Sequence, residues 1–504
     1  MEILHSKATR PIWEVKVREK KLPALKKDIQ VDTVIIGAGI TGITTALELI
    51  KEGQTVAILE ALTVGSGTTG HSTGNLYIAI QPLYSGITAS KEVKSNIAQA
   101  RAKAINYIEE TVQEHNLDCY FSRRPFYFYA NENNGLNLLE NEVNELKELG
   151  VAIKYSDEME APVPFKKAAL IENQARFNPF LYVVELAQIL INKGCEIYEH
   201  TPVEAMEKTE EGYLLKTPSG MVKAKKVVMA THIPKGIDST QMVEAPYRSY
   251  VIAVSLKGNK YPNGHFWCMD DSHYITSTHA INGPHINSLM VAGNHHKTGQ
   301  GNKNYYQEIM DYIDTHYEVE AIDHHWSAQH YQTADKRPFI GLKEENLYIA
   351  TGYFADGLTY GTMAGKLLAD LIVGKKNKLA DIVDPNRHKP FVAAPQIVKE
   401  NFNVLCQYMK DYPGGGTISD VKELQPDSGG VIEVKGEKYA VYKDELQGLH
   451  VVSAVCTHMK CIVNWNPGEK TWDCPCHGSR FSIEGEVIEG PAMANLQKIK
   501  SLKE

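Results

Sequence analysis

Thr33-Val-Ile-Ile36-Gly37-Ala-Gly39-Ile-Thr-Gly42 opens the stretch that decides the fold. Thr33 to Ile36 reads as a buried strand. The glycines read as a tight turn, and Ile43, Ala46, Leu47 and Ile50 form one face of the helix that follows. A second strand, Thr55 to Leu59, ends at Glu60-Ala61. This strand–turn–helix–strand unit is the pattern that binds a dinucleotide. Gly37 permits the turn, Gly39 lets the backbone approach a pyrophosphate, and Gly42 allows close helix–strand packing. Ile40, Thr41 and Gly42 form the first helical turn, whose N–H groups face the phosphates. Glu60 stands at the distance of a ribose hydroxyl. A second string, Gly65-Ser-Gly67-Thr-Thr-Gly70, also fits the glycine spacing but lacks the preceding strand and following helix.

Far downstream lie two short clusters, Cys456-Thr-His458-Met-Lys-Cys461 and Cys474-Pro-Cys476-His477-Gly478-Ser479. Each offers one Cys and one His, in C-x-H and C-x-x-H spacing. Two thiolates on one iron and two imidazoles on the other is how a Rieske [2Fe–2S] centre is held. A small zinc site is the alternative, although structural zinc prefers Cys pairs two to four residues apart with His pairs spaced alike. Mixing Cys and His within each half favours iron. Such a cluster carries one electron at a time, so the chain is expected to move electrons.

The motif C-T-H-M-K-C…C-P-C-H-G-S closely resembles the Rieske family. The resemblance to its cytochrome bc-type members implies Cys456, His458, Cys474 and His477 as ligands and a disulfide between Cys461 and Cys476. Ser479 matches the family serine that donates a hydrogen bond to sulfur, which raises the potential. Phe481 stands where high-potential members carry tyrosine. The missing hydroxyl implies a lower potential within the family span of roughly −150 to +300 mV. Gly490-Pro491-Ala492 matches the loop that shields the cluster from solvent.

A length of 504 residues suggests several domains. The net charge of −8 argues against a nucleic-acid or anionic-membrane partner, which would want a basic patch. No apolar run is long enough to span a bilayer, and the first 30 residues lack a secretory h-region. A soluble, cytoplasmic protein without an integral membrane segment is expected. Cys119, Cys195, Cys268 and Cys406 show no spacing logic and read as buried structural thiols. A cytosolic disulfide is unusual on compartment grounds; the Cys461–Cys476 pairing is expected only because the Rieske resemblance implies it.

Leu347-Tyr-Ile-Ala-Thr-Gly352-Tyr-Phe-Ala-Asp-Gly357-Leu358-Thr359-Tyr-Gly361 resembles the closing flavin motif of the D-amino-acid-oxidase-like family, which includes glycine and sarcosine oxidases. Val228-Met-Ala-Thr231 looks like its middle strand. Asn178-Pro179 opens a helix through Ile191, and Val203, in a strand after it, sits where the family contacts adenine through its main chain. The resemblance covers about residues 30 to 375 and implies FAD. Gly357, Leu358 and Thr359 would begin a helix whose positive end faces the flavin's pyrimidine ring. Gly67-Thr68-Thr69-Gly70-His71-Ser72-Thr73-Gly is similar to the loop in which dimethylglycine and sarcosine dehydrogenases attach FAD through histidine. Gly70 replaces their usual Trp, and Asn75 departs from their pattern of small residues. Noncovalent FAD beside this loop is expected.

The implied architecture is an α/β, Rossmann-type FAD-binding domain with an inserted α+β substrate domain, followed by an all-β Rieske domain. An extension spans 1–30 and the oxidoreductase 31–397. Its FAD-binding parts are about 31–90, 178–240 and 330–375, and its substrate region is about 91–177 and 241–329. A helix and Pro/Gly linker fill 398–417, and the Rieske domain spans 418–504. Residues 92–116 and 137–149 read as amphipathic helices; 245–335 read as strands and turns, which the family builds into an antiparallel sheet over the flavin.

Family oxidases hold the substrate carboxylate with a strand arginine; Tyr274-Ile-Thr-Ser-Thr-His279 offers histidine instead. Arg248 and Arg337 have no motif-level claim to that role, and His295-His296 and His324-His325 lack partners at metal-ligand spacing. No catalytic acid or base is evident. The expected activity is oxidation of a small amine or related substrate by FAD, with electrons passing singly to the cluster and on to an external partner, a quinone or a ferredoxin-like protein. The alternatives are the reverse current, from a ferredoxin-like donor to the flavin, and a redox-sensing or electron-transfer protein. The whole chain resembles flavoprotein–Rieske fusions of Bacillus-like bacteria.

Overall fold

The computed structural model describes residues 9–15, 21–236, 239–281, 287–301, 303–387, 417–418 and 421–499. Cys406 and the expected helix and linker over 398–417, apart from Thr417, fall outside them.

The strand Ile29–Ile36 lies at the centre of an eight-stranded sheet. It runs parallel to Val56–Leu59 on one side and Gly220–Met229 on the other, with Ile36 beside both Leu59 and Met229. Glu196–Tyr198 and Leu347–Thr351 extend the parallel core, and Phe339–Glu344 closes it antiparallel. Such strands are buried on both faces, which is why they read as apolar runs. The helix Ile40–Lys51 crosses the sheet against the helix Gly357–Ile372. Gly365 makes that approach possible, since a Cβ there would stand 2.6 Å from Thr44.

Pro179–Asn192 is helical, with the Asn178 side chain accepting from the N–H groups of Phe180 and Leu181. Val203 departs from expectation. It lies in no strand, between Glu196–Tyr198 and Ala205–Thr209. Pro202 beside it has no N–H to give to a ladder.

The second sheet has nine strands. Val319–Thr333, Glu244–Leu256, Asn287–Lys297, Ile275–Ala280 and His265–Cys268 pair antiparallel in that order. The sheet is mixed and not purely antiparallel, because His265–Cys268 pairs parallel with Ser122–Ala130. That pairing joins the two inserts of the substrate region into one surface. The helices Lys91–His115 and Asn133–Glu148 fall close to the expected ranges. A further helix, Tyr305–His316, sits within the stretch read as strands and turns. It is capped by Asn304 and buries Tyr306, Ile309, Met310 and Ile313, a helical period partly masked by its tyrosines and histidine.

The C-terminal body consists of two four-stranded sheets. Thr417–Ile418, Ser428–Val434, Glu437–Lys443 and Leu449–Ser453 form one; Asn464–Asn466, Thr471–Asp473, Arg480–Phe481 and Val487–Glu489 form the other. Trp472, Phe481, Val452 and Ala440 pack around the four cysteines. Among the described residues no helix is long and apolar enough to cross a membrane.

Candidate flavin and iron–sulfur sites

The two cluster loops leave neighbouring sheets and meet at their tips. Backbone bonds fix each loop: Cys456 N–H donates to Cys461 O (2.8 Å), and Cys474 N–H donates to Ser479 O (2.8 Å). Cys461 and Cys476 form a disulfide. The sulfurs of Cys461, Cys474 and Cys476 lie within 4.8 Å of one another, but the disulfide consumes two of them as donors. Cys456 and Cys474 remain as buried free thiols. The hydrogen bond from Cys474 lowers the pKa of Cys456, as does one with Ser479, while Cys474 is raised in turn. The imidazoles of His458 and His477 stand edge to face, with centroids 5.0 Å apart. Their Nδ1 atoms are both buried and without a hydrogen-bond partner. Two thiols and two orphaned ring nitrogens at one place are the donor set a Rieske cluster needs. Ser479 Oγ also accepts from Ala492 N–H (3.0 Å), tying the 490–492 loop over the site. Phe481 is fully buried and offers no hydroxyl.

At the dinucleotide unit, Gly37 has φ +106°, and a Cβ there would lie 2.5 Å from Ala230 O. At Gly39 only the Thr69 hydroxyl would be met, so the backbone stays open on the ligand side. Glu60 Oε2 accepts from Ala38 N–H (2.8 Å) and Oε1 from Leu62 N–H (2.9 Å). Burial raises its pKa. Ala61 beside it is exposed. Thr69 Oγ1 accepts from Ile40 N–H (3.0 Å), so the second glycine string, unlike a second dinucleotide unit, folds over the first. Thr41 Oγ1 meets the Tyr353 hydroxyl (3.2 Å), Thr231 donates to Ile233 O (2.7 Å), and Thr68 Oγ1 meets His232 Nδ1 (3.1 Å). Gly357 opens the closing helix with nothing within 4 Å of its would-be Cβ, whereas Leu358 and Thr359 are buried. An open helix N-terminus, a free backbone approach and a strand-end carboxylate fit FAD.

His71 Nδ1 bonds to Gly67 O (3.0 Å), and its carbonyl accepts from Trp326 Nε1 (2.7 Å). Ser72 O accepts from Trp13 Nε1 (2.7 Å). With the ring turned onto its own loop, acid precipitation of the holoprotein is expected to leave the yellow colour in the supernatant. Colour in the pellet would show a covalent bond.

Arg101 escaped the sequence reading. It is fully buried, 3.6 Å from Asp356, with Nη2 donating to the carbonyls of Tyr77 (2.9 Å) and Ala79 (2.7 Å). Asp356 in turn accepts from Gln81 N–H (2.8 Å). The pair locks the 77–81 segment to the start of the closing helix. An arginine on the apolar stripe of Ile97, Ala104 and Ile108 was the available signal.

The tempting histidines have ordinary partners. His279 Nε2 meets Asn75 Oδ1 (2.9 Å) and Ser277 Oγ (3.0 Å); His295 Nδ1 meets Ser249 Oγ (2.6 Å); His296 stacks on Tyr305. Arg337 is held by Asp335 (2.8 Å).

Arg248 has another task. Fully buried, it donates to Glu489 in the C-terminal body (2.6 Å) and to Ser327 Oγ (2.6 Å). Around it the two bodies interlock. Gln329 Nε2 donates to Gly478 O (2.9 Å), Tyr331 OH to His477 O (3.3 Å) and Asn464 Nδ2 to Gly299 O (2.7 Å); His458 Nε2 meets Gly236 O (3.1 Å). Tyr331 packs edge-on against His232 at 4.8 Å. Contacts thus run unbroken from His477 through Tyr331 and His232 to Thr68.

Burial disfavours the charges of Asp473 and Glu489, but guanidiniums win. Arg480 and Arg248 hold Asp473 below its usual 3.8, and Arg248 and Arg480 hold Glu489 well below 4.5. Carboxyls lowered on folding stabilise at neutral pH and lose that contribution as pH falls through the lowered values. Domain docking is therefore expected to weaken below about pH 4, seen as new cleavage between the bodies by an acid-active protease. Unchanged cleavage down to pH 3 would contradict it.

Residues 32–371 match the family of FAD dependent oxidoreductases, and residues 416–500 match the Rieske [2Fe-2S] domain. The chain is 32% identical to the Rieske 2Fe-2S iron-sulfur protein YhfW of Bacillus subtilis, over 98% of each. It is 22% identical to gamma-glutamylputrescine oxidoreductase of Escherichia coli, over 73% of this chain and 89% of that protein. Glycine oxidase from Geobacillus kaustophilus has a similar fold, with TM-score 0.60 and 20% identity over 71% of this chain and 99% of that one. The chain therefore belongs to the FAD dependent oxidoreductases and carries at its C-terminal end a Rieske domain for a [2Fe–2S] cluster.

Proposed function

We propose that the protein oxidises a small amine at FAD and passes the electrons singly through its own cluster to an external acceptor, a quinone or a ferredoxin-like protein. When bound, FAD supplies a hydride acceptor and the cluster a one-electron carrier, so the two electrons leave in turn. On this reading Cys456 and Cys474 hold one iron and His458 and His477 the other. Gly37, Gly39, Gly42 and Glu60 seat the dinucleotide, and the Gly357–Thr359 turn faces the pyrimidine ring.

The observation that carries the proposal is the contact from the His477 loop through Tyr331 and His232 to Thr68. It brings an electron exit to the flavin loop without diffusion. A cavity of about 290 Å³ bordered by Gln81, Tyr247, Gln332, Lys336 and Phe354 adjoins the start of the closing helix and is the candidate substrate space. The buried free thiols Cys119, Cys195 and Cys268 suit a reducing, cytoplasmic compartment.

Anaerobic stopped-flow with a panel of primary and secondary amines tests the direction. Flavin bleaching followed by cluster reduction is the expected result. Bleaching by reduced ferredoxin, with none by any amine, would mean that the current runs the other way.

A further inference from the structure

A second cavity, of about 300 Å³, opens beside the turn that leads into the strand His265–Cys268. Arg124, Arg176, Tyr261, Asn263, Thr278 and Asn287 border it. The strand order places it away from the Tyr247 and Gln332 cavity, toward the other edge of the sheet. Two guanidiniums therefore face one space.

The hydrogen-bond partners of both guanidiniums are neutral. Arg176 is 9% exposed; its Nη1 donates to Thr278 O and its Nε to Ser122 Oγ (3.3 Å), both neutral groups. Arg124 Nη1 donates to the neighbouring Arg123 carbonyl (3.0 Å), and its Nε is buried without a partner. Among the described residues neither guanidinium has a carboxylate within ion-pair distance. Glu160 is the acid whose field reaches Arg124, and its Oε2 accepts instead from Asn263 N–H (2.8 Å). Burial and the charge of Arg124 push the Arg176 pKa down to about 9. His265 and His279 beside them are kept neutral by burial and by Arg176, so they add no further positive charge.

A buried guanidinium without an anion, as at Arg176, is a strongly unfavourable arrangement, and the half-buried Arg124 adds a second positive charge to the same cavity. Planar N–H forks of this kind match carboxylate and phosphate oxygens. We infer that the Arg124–Arg176 cavity binds a small oxyanion, a carboxylate- or phosphate-bearing molecule, at a site distinct from the Tyr247 and Gln332 cavity.

Titration calorimetry on the FAD- and cluster-loaded full chain tests this, with malonate and inorganic phosphate as probes and sodium chloride at equal ionic strength as control. Saturable binding of one or both probes, absent with chloride, is expected, and the better probe names the ligand chemistry. Arg124→Gln removes a fork whose single bond is to its neighbour's carbonyl, and it should weaken binding about tenfold or more with flavin absorbance unchanged. Should that variant not fold, phenylglyoxal labelling of the wild-type chain decides, because the bound probe should protect Arg124. No binding beyond chloride, unaltered affinity in the variant, or labelling indifferent to the probe would overturn the site. None of these results depends on whether amines reduce the flavin.

Discussion

Cys456→Ser is expected to abolish the low-temperature EPR signal of the reduced cluster while leaving the flavin absorbance intact. Serine keeps the size of the residue but removes a soft thiolate that iron–sulfur chemistry requires. Cys474 then has no thiol neighbour, and one iron is left with a single protein sulfur. The Cys461–Cys476 disulfide and the packing of Trp472 and Phe481 are untouched, so the C-terminal body keeps most of its core. The groove proposed for FAD draws its glycines, Glu60 and Thr69 from the N-terminal body alone. Loss of both chromophores together would contradict the separation of the two sites.

Arg248→Met is expected to slow cluster reduction while leaving the rate of flavin bleaching by substrate unchanged. The arginine is fully buried, donates to Glu489 and has its Nε 4.0 Å from the buried carboxylate of Asp473. Methionine fills similar space but leaves Arg480 as the guanidinium that still holds both acids. Removing one partner from a buried charge network costs about 3 kcal/mol. Most of that loss falls on docking, since Arg248 and Glu489 belong to different bodies. Arg248→Lys should recover only part of the rate, because an ammonium cannot reproduce the planar fork that reaches Glu489 and Ser327 together. Equal slowing of bleaching and cluster reduction would assign Arg248 to substrate handling instead. Stopped-flow at two wavelengths separates the outcomes.

Much of both candidate sites was legible because their chemistry is written at short range. Gly37, Gly39 and Gly42 lie within one turn, and each cluster loop carries its Cys and His within four residues. The backbone needs of a pyrophosphate approach and the ligand needs of iron are local, so spacing reveals them. What spacing could not reveal is the joint between the bodies. Arg248 and Glu489 are 241 residues apart, and Tyr331 and His477 are 146 apart. Arg248, Tyr331 and Glu489 alone read as ordinary strand polar groups, and His477 reads only as a cluster ligand. The parallel pairing of His265–Cys268 with Ser122–Ala130 was hidden for the same reason, because alternation within a strand does not name its neighbour. The helix Tyr305–His316 was missed where Tyr306 and Tyr312 suit a strand as readily as a helix. Val203 lies between strands, next to Pro202, which has no N–H for a ladder.

The most direct test needs no substrate. Under anaerobic conditions the flavin of the holoprotein is photoreduced without mediators, the sample is frozen, and the cluster is read by EPR. The account predicts a reduced-cluster signal that grows with flavin bleaching and weakens in Arg248→Met. A fully bleached flavin beside an EPR-silent cluster that dithionite can still reduce would contradict it.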